Sequence, residues 1–225
     1  MPGRFEVFLK GGIYHLFNKT IEGKKVFIDS TSCSRFLDIV HYYKSSMVKI
    51  SYSRFKRLPL TIQHKLNKKN NLKKNLKVNL LSYCLMPTHF HLLVQQVGDK
   101  PVSRFIGDIV NAFTRYFNLK HNRKGPLFIP RFKSVRITTD EQLWHVSRYI
   151  HLNPYTSEVV RNIADCDSYP WSSLGEYISS KMGKGICEKN MILSFFKNST
   201  SYQSFVKDNA DYQRRLELIK HVMKW

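Results

Sequence analysis

The chain has 225 residues, 42% of them hydrophobic, enough for one domain with a real core or a domain plus a small appendage, and too apolar for a disordered tail. Lysine and arginine number 37 against 16 aspartate and glutamate, a net charge of +21 that points to a polyanionic partner. No long uncharged apolar run occurs, so no membrane span is expected, and Arg4, Glu6 and Lys10 inside the N-terminal apolar stretch do not suit a secretory signal.

The charge is clustered. From Ile39 to Gly98 there is no Asp or Glu, while Lys and Arg occur eleven times. Nucleic acid is the common partner of such a surface, whereas anionic lipid usually also needs an amphipathic basic helix. The four cysteines, Cys33, Cys84, Cys166 and Cys187, have neither metal-ligand nor redox spacing and suit a reducing cytoplasm.

In chain order, "GGIYHLFNKT" (11–20) reads as a first strand bounded by glycines. "STSCSRFLDIVHYYKSS" (30–46) reads as a helix capped by Asp29 or Ser30, with Phe36, Ile39, Val40 and Tyr43 on one stripe. Residues 47–76 are the least regular part. Their "KLNKKNNLKK" is expected as a solvated loop or frayed helix, with a basic arm along phosphates as the functional alternative. "KVNLLSYCLMP" (77–87) and "THFHLLVQQ" (88–96) read as an antiparallel pair of strands.

A strong helix follows over 102–120. Val102, Phe105, Ile106, Ile109, Val110, Phe113, Tyr116 and Phe117 form its core stripe. Alternation around Phe128, Phe132, Val135 and Ile137 marks a fourth strand within 122–139. "DEQLWHVSRYIHLNPYTSEVV" (140–160) is a helix with acid in its first turn, expected to end near Asn153 because Pro154 disfavours helix at the residue before it. The remainder is expected to be mostly helical. Strand, helix, strand, strand, helix, strand, helix predicts an α+β fold, an antiparallel sheet with helices, of which the ferredoxin-like arrangement is one form.

Two histidines interrupt the apolar run at 88–96. In a strand, His89 and His91 point to one face, and Phe90, Leu92 and Val94 to the other. The pair is either a bidentate metal site or two histidines that hydrogen-bond locally. On the 140–154 helix, His145, Tyr149 and Asn153 fall at steps of four and share a face. That face offers either a third ligand and a nucleophilic phenol or a packing surface.

Several segments together resemble the REP-associated tyrosine transposases, relatives of the single-domain HUH tyrosine transposases of insertion sequences. "MPTHFHLLV" is similar to the HUH motif, "YHLFNKT" (14–20) to the first strand, "PRFKSV" (130–135) to the strand before the catalytic helix, "RYIHLNP" (148–154) to that helix, and "YPWSS" (169–173) to a downstream segment. The likeness spans about 11–175. It implies a ferredoxin-like or RRM-like HUH endonuclease fold, with a catalytic domain over 1–160 carrying a basic insertion at about 47–76, and a C-terminal extension over 161–225.

It also implies metal-dependent nicking and joining of single-stranded DNA at hairpins or palindromes. Carried over by position, Tyr149 would be the nucleophile, and His89, His91 and Asn153 the ligands of Mg²⁺ or Mn²⁺. Tyr155 and Tyr116 are rival tyrosines, the first placed beyond Pro154 and off the helix face, the second in the core stripe. DNA contacts are expected from Arg54, Lys56, Arg57, Lys68, Lys69, Lys73, Lys74, Arg131, Lys133 and Arg148. The protein would act as a monomer or homodimer in the bacterial cytoplasm, near the nucleoid. Two further readings stay open: a hairpin-binding relative without catalysis, and a metal-dependent nuclease that uses water.

Overall fold

A computed structural model describes residues 7–99, 102–179 and 185–215. Four strands form one antiparallel sheet: β1 (Ile13–Lys19), β2 (Val78–Met86), β3 (His89–Gln96) and β4 (Lys133–Ile137), in the order β2-β3-β1-β4. β1 and β3, the histidine-bearing strand, are therefore interior with both edges paired, and a core lies on each face of the sheet. That accounts for their near-continuous apolar sequences. The described part is α+β, as the order of elements predicts.

One face of the sheet is dry. Tyr14, Leu16, Phe90, Leu92 and Val94 are buried there beneath α1 (Ser30–Tyr43) and α4 (Val102–Lys120). Asp29 caps α1 by accepting the Ser32 amide, one of the orphan donors at a helix start. In α4, Val102, Phe105, Ile106, Ile109, Phe113 and Phe117 are buried, while Val110 and Tyr116 lie at the margin.

The basic segment is more ordered than a loop. Residues 47–76 contain two α-helices, α2 (Tyr52–Phe55) and α3 (Leu60–Asn70), and a 3-10 turn (Lys73–Asn75), so the helical alternative for "KLNKKNNLKK" holds as far as Asn70. Ser51 caps α2, and Tyr52 and Phe55 bury against Tyr42. Pro59 opens α3, where a residue without N–H loses nothing, and buried Gln63 donates to the Leu58 carbonyl at 2.8 Å. Local anchors of this kind outweigh the poor apolar periodicity of a lysine- and asparagine-rich stretch.

The other face packs against α5 (Asp140–Thr156), capped by Thr139 at the Gln142 amide. A second core forms there from Leu81, Cys84, Met86, Leu93 and Ile137 of the sheet with Leu143, Ile150 and Leu152 of α5. Four further short helical segments complete it: a 3-10 turn (Ile163–Ser168), α6 (Leu174–Ile178), α7 (Asn190–Leu193) and α8 (Ser199–Lys207). A shift of register between Leu80 and Ser82 changes the phase of β2, so Val78 and Leu80 before it and Tyr83 and Leu85 after it all face the first core, while Leu81, Cys84 and Met86 face the second.

α5 does not stop near Asn153. It runs through Pro154 to Thr156. Pro154 removes one donor, but only in the last turn, and every residue from Ile150 to Thr156 is buried. Burial of several side chains, each contributing on the order of 1.5–3 kcal/mol, exceeds the penalty of one lost hydrogen bond. Tyr155 consequently stays on the helix rather than beyond it, and its hydroxyl donates to Asp211 at 2.6 Å.

Candidate active site: imidazoles under Tyr149

The antiparallel register of β1 against β3 places Lys19 opposite His89, Phe17 opposite His91 and His15 opposite Leu93. Paired residues share a face, so His15, Phe17 and Lys19 join His89 and His91 on the side covered by α5. His15 and His91 are diagonal neighbours. His15 Nε2 and His91 Nδ1 lie 2.9 Å apart, and the two rings meet edge to edge, 23° from coplanar, with centroids at 5.1 Å.

Both imidazoles are buried, His15 at 7% and His91 at 4% exposure. Burial pushes His15 down to about 4 and His91 well below its ordinary value. Positive charge on His15, His89 and Lys19 would lower His91 further. Both rings are therefore neutral at neutral pH, and between them one nitrogen donates and the other accepts.

The other nitrogen of His91, Nε2, is buried and finds no hydrogen-bond partner among the described residues. A buried nitrogen without a partner costs about 1–3 kcal/mol, so this atom is available to a ligand. His89 meets His91 edge-on at 5.1 Å, and its Nδ1 contacts the Thr88 hydroxyl at 3.0 Å.

α5 brings the phenol. The Tyr149 ring stands edge-on to His91 at 5.7 Å between centroids and to His15 at 6.0 Å. Asn153, one turn later and 3% exposed, donates from Nδ2 to the Tyr149 carbonyl at 2.9 Å, which ties its amide to the turn that carries the phenol. That donation uses the nitrogen end of the amide; the oxygen is the end suited to a hard cation. His145 is not part of the cluster. It is exposed, and its ring contacts Glu141 at 3.8 Å and Arg148 at 2.9 Å.

The expected DNA-contacting residues scatter. Arg54, Lys56 and Arg57 line a groove of about 920 Å³ with Arg35, Arg115 and Lys120, in the layer that covers the dry face of the sheet. The Arg35 guanidinium there lies 4.9 Å over Tyr116, the rival tyrosine, far from the imidazoles in the layering. Lys68 and Lys69 are exposed in the last turn of α3, and Lys73 and Lys74 line a smaller depression with Lys10. Arg131 is exposed, and Lys133, opposite Phe17, shares the imidazole face. Arg148 instead packs its guanidinium 4.6 Å over Phe205 of α8.

Three residues of the cluster escape the sequence reading: His15, Phe17 and Lys19. The available signal was a histidine in an apolar strand, the same one that marks His89 and His91. What no spacing rule supplies is the pairing of two strands more than 70 positions apart.

The family model described as "Transposase IS200 like" matches residues 39–153, slightly more than half of the chain. The chain belongs to the IS200-like transposases. The matched span takes in His89, His91, Tyr149 and Asn153 and leaves β1, with His15, outside. Among solved structures, a REP-associated tyrosine transposase bound to a REP hairpin is similar in fold, with a TM-score of 0.55 at 16% identity over 82% of this chain and 89% of that one. A candidate transposase from Deinococcus radiodurans R1 gives a TM-score of 0.37 at 16% identity, over 67% of this chain and 95% of that one, too weak to bear on the fold. No curated protein matches the chain. No described helix of this IS200-like transposase is long and apolar enough to cross a membrane.

Proposed function

We propose that this IS200-like transposase is a metal-dependent single-stranded DNA endonuclease and strand-transferase, acting at hairpin or palindromic DNA through Tyr149. The observation that carries this reading is the Tyr149 ring standing edge-on to His91, whose buried Nε2 has no partner among the described residues.

In this reading the Tyr149 oxygen attacks a backbone phosphorus. The bond from phosphorus to the 3′-oxygen breaks, the 3′-oxygen leaves and takes up a proton, and the tyrosine is left joined to a 5′-phosphate. A 3′-hydroxyl attacking the same phosphorus reverses the step and releases the tyrosine, so strands are joined without an outside energy source. A phenol of ordinary pKa about 10 holds little phenolate at neutral pH, so it needs a cation or a base beside it.

The residues fit a divalent ion. His91 Nε2 is an orphaned buried donor atom, His89 lies beside it, and Asn153 stands one turn from Tyr149. These three would hold Mg²⁺ or Mn²⁺. In this reading the Asn153 carboxamide oxygen and the DNA phosphate would complete the ion's coordination beside the two histidines. All three ligands are uncharged, so the ion would keep its full charge to act as a Lewis acid toward the scissile phosphate. The chain's own residues do the rest. Asn153 ties the Tyr149 turn, α5 presents the phenol to the sheet, and Lys19 and Lys133 place positive charge on the imidazole face.

The cationic groove around Arg54, Arg57 and Arg115 and the exposed Lys68, Lys69, Lys73 and Lys74 would hold the DNA backbone by charge. Neutralising several phosphates predicts binding that falls steeply with salt.

The test is incubation of a hairpin oligonucleotide with a single-stranded flank and Mn²⁺, followed by a denaturing gel. A covalent adduct is expected for wild type, Tyr155→Phe and Tyr116→Phe, and none for Tyr149→Phe. Cleavage without an adduct would assign the reaction to water, and binding without cleavage under any divalent ion would make the protein a hairpin binder. Either result overturns the reading.

A further inference from the structure

His15 makes one described side-chain hydrogen bond, and it goes to the histidine with the orphaned nitrogen. A neutral imidazole carries its proton on one ring nitrogen and its lone pair on the other. Whatever Nδ1 of His91 does therefore decides what Nε2 can do. If His15 donates, Nε2 of His91 must hold the proton, and it becomes a buried N–H with no acceptor and no capacity for a cation. If His91 donates from Nδ1, its Nε2 carries a lone pair directed away from His15.

We propose that His15 is a positioning residue for the ion site. It accepts the Nδ1–H of His91 and so holds His91 in the tautomer whose Nε2 can bind a divalent cation. The role rests on the metal-dependent reading above. It is the role that a carboxylate or a backbone carbonyl commonly plays behind a ligating histidine. Here a second imidazole fills it because the site lies inside a sheet. The backbone groups of the neighbouring interior strand serve the ladder, and a side chain at the diagonal position, His15, reaches Nδ1.

The ring geometry supports the assignment. His91 lies beside two flat rings of β1, His15 at 5.1 Å and 23° and Phe17 at 5.6 Å and 25°, which are 5.0 Å from each other. These neighbours restrain ring rotation, and the 2.9 Å contact holds one shared proton, which a lone pair on Nε2 requires to sit on His91 Nδ1. His15 is accordingly not itself a ligand, because its Nε2 is occupied by His91.

Two variants separate the possibilities. His15→Phe keeps a flat ring and removes the acceptor. His15→Gln restores an acceptor oxygen on a flexible stem. Two readouts are taken on the full chain without DNA: Mn²⁺ binding followed by electron paramagnetic resonance of the free ion, and the His91 tautomer from nitrogen-15 correlation spectra of the histidine rings.

Wild type is expected to show the Nδ1–H form of His91 and to bind Mn²⁺. His15→Phe should lose that single form and bind about 10–100-fold more weakly. His15→Gln should stay within a few-fold of wild type. Thermal melts confirm that both variants are folded; if His15→Phe is not, the wild-type spectrum and His15→Gln decide. Wild type binding Mn²⁺ with His91 in the Nε2–H form, or His15→Phe binding as tightly as wild type, would overturn the role of His15 alone. Wild type failing to bind Mn²⁺ would overturn the metal site itself.

Discussion

Two buried histidines on opposite sides of the second core show how burial alone says little about purpose. His151 on α5 and His91 on β3 are both nearly inaccessible, and desolvation lowers both. They differ in their partners. Nε2 of His151 contacts the Ser173 hydroxyl at 2.8 Å, and Nδ1 contacts the Tyr202 hydroxyl at 2.8 Å. Tyr202 in turn bonds to Ser147, and Ser173 to the backbone of Tyr83.

The chain has one consistent direction. Ser147 donates to Tyr202, Tyr202 to His151, His151 to Ser173, and Ser173 to the Tyr83 carbonyl. Every polar atom of the His151 ring is satisfied, and the network fastens α5 to α8 and to β2. A satisfied buried histidine is a structural fastener. His91 has one nitrogen satisfied by another histidine and one left over beside Tyr149, the feature on which the proposed ion site rests.

The sharpest way to break this comparison is to truncate each ring. His91→Ala is expected to lower DNA cleavage by a thousandfold or so, about 4 kcal/mol of transition-state stabilisation, while urea unfolding changes far less. His151→Ala should do the reverse. It leaves a cavity and strands the Tyr202 and Ser173 hydroxyls, so urea unfolding should show a loss of about 3 kcal/mol. Equal losses of stability in the two variants would erase the distinction.

Acid probes the same pair. His151 is held down to about 3, so between that value and the ordinary 6.5 the unfolded chain binds a proton that the folded chain does not. Its contribution to stability is complete above about pH 6.5 and is lost as pH falls. At pH 5 the loss is about 2 kcal/mol for this group, readable as a fall in the urea midpoint between pH 7 and pH 5. A midpoint that does not move would place the proton elsewhere. Tyr202→Phe is the mildest change. It removes one hydroxyl and leaves His151 Nδ1 and Ser147 without that partner, for an expected loss of about 1–2 kcal/mol in thermal or urea melts, with adduct formation by Tyr149 retained.

Much of the fold is legible in the sequence because the hydrophobic periods are strong. The stripe from Val102 to Phe117 predicts α4 to the residue, and the runs flanking Met86-Pro87 predict β2 and β3 within a position. Two segments differ from their local pattern, α5 through contacts distant in sequence and α3 through neighbouring ones. Pro154 would end an isolated helix, but the buried last turn of α5 carries it on to Thr156. The lysine-rich "KLNKKNNLKK" shows a weak stripe, and α3 forms there with Pro59 at its start and Gln63 buried. Of the candidate site, Tyr149, His89 and His91 do lie together, as their motifs imply. Arg148, counted among DNA contacts, is turned onto Phe205 by a helix whose place the sequence does not specify.

By itself, the sequence determined the strand and helix types, the face to which His89 and His91 point, and the helical step from Tyr149 to Asn153, because these follow from fixed periods of two and 3.6 residues. Only the tertiary structure decided that β1 lies beside β3, that His15 therefore reaches His91, and that α8 locks α5 through Tyr202. Periodicity gives each segment its faces, but which faces meet depends on how much apolar surface the whole chain can bury at once, and that is not a local quantity.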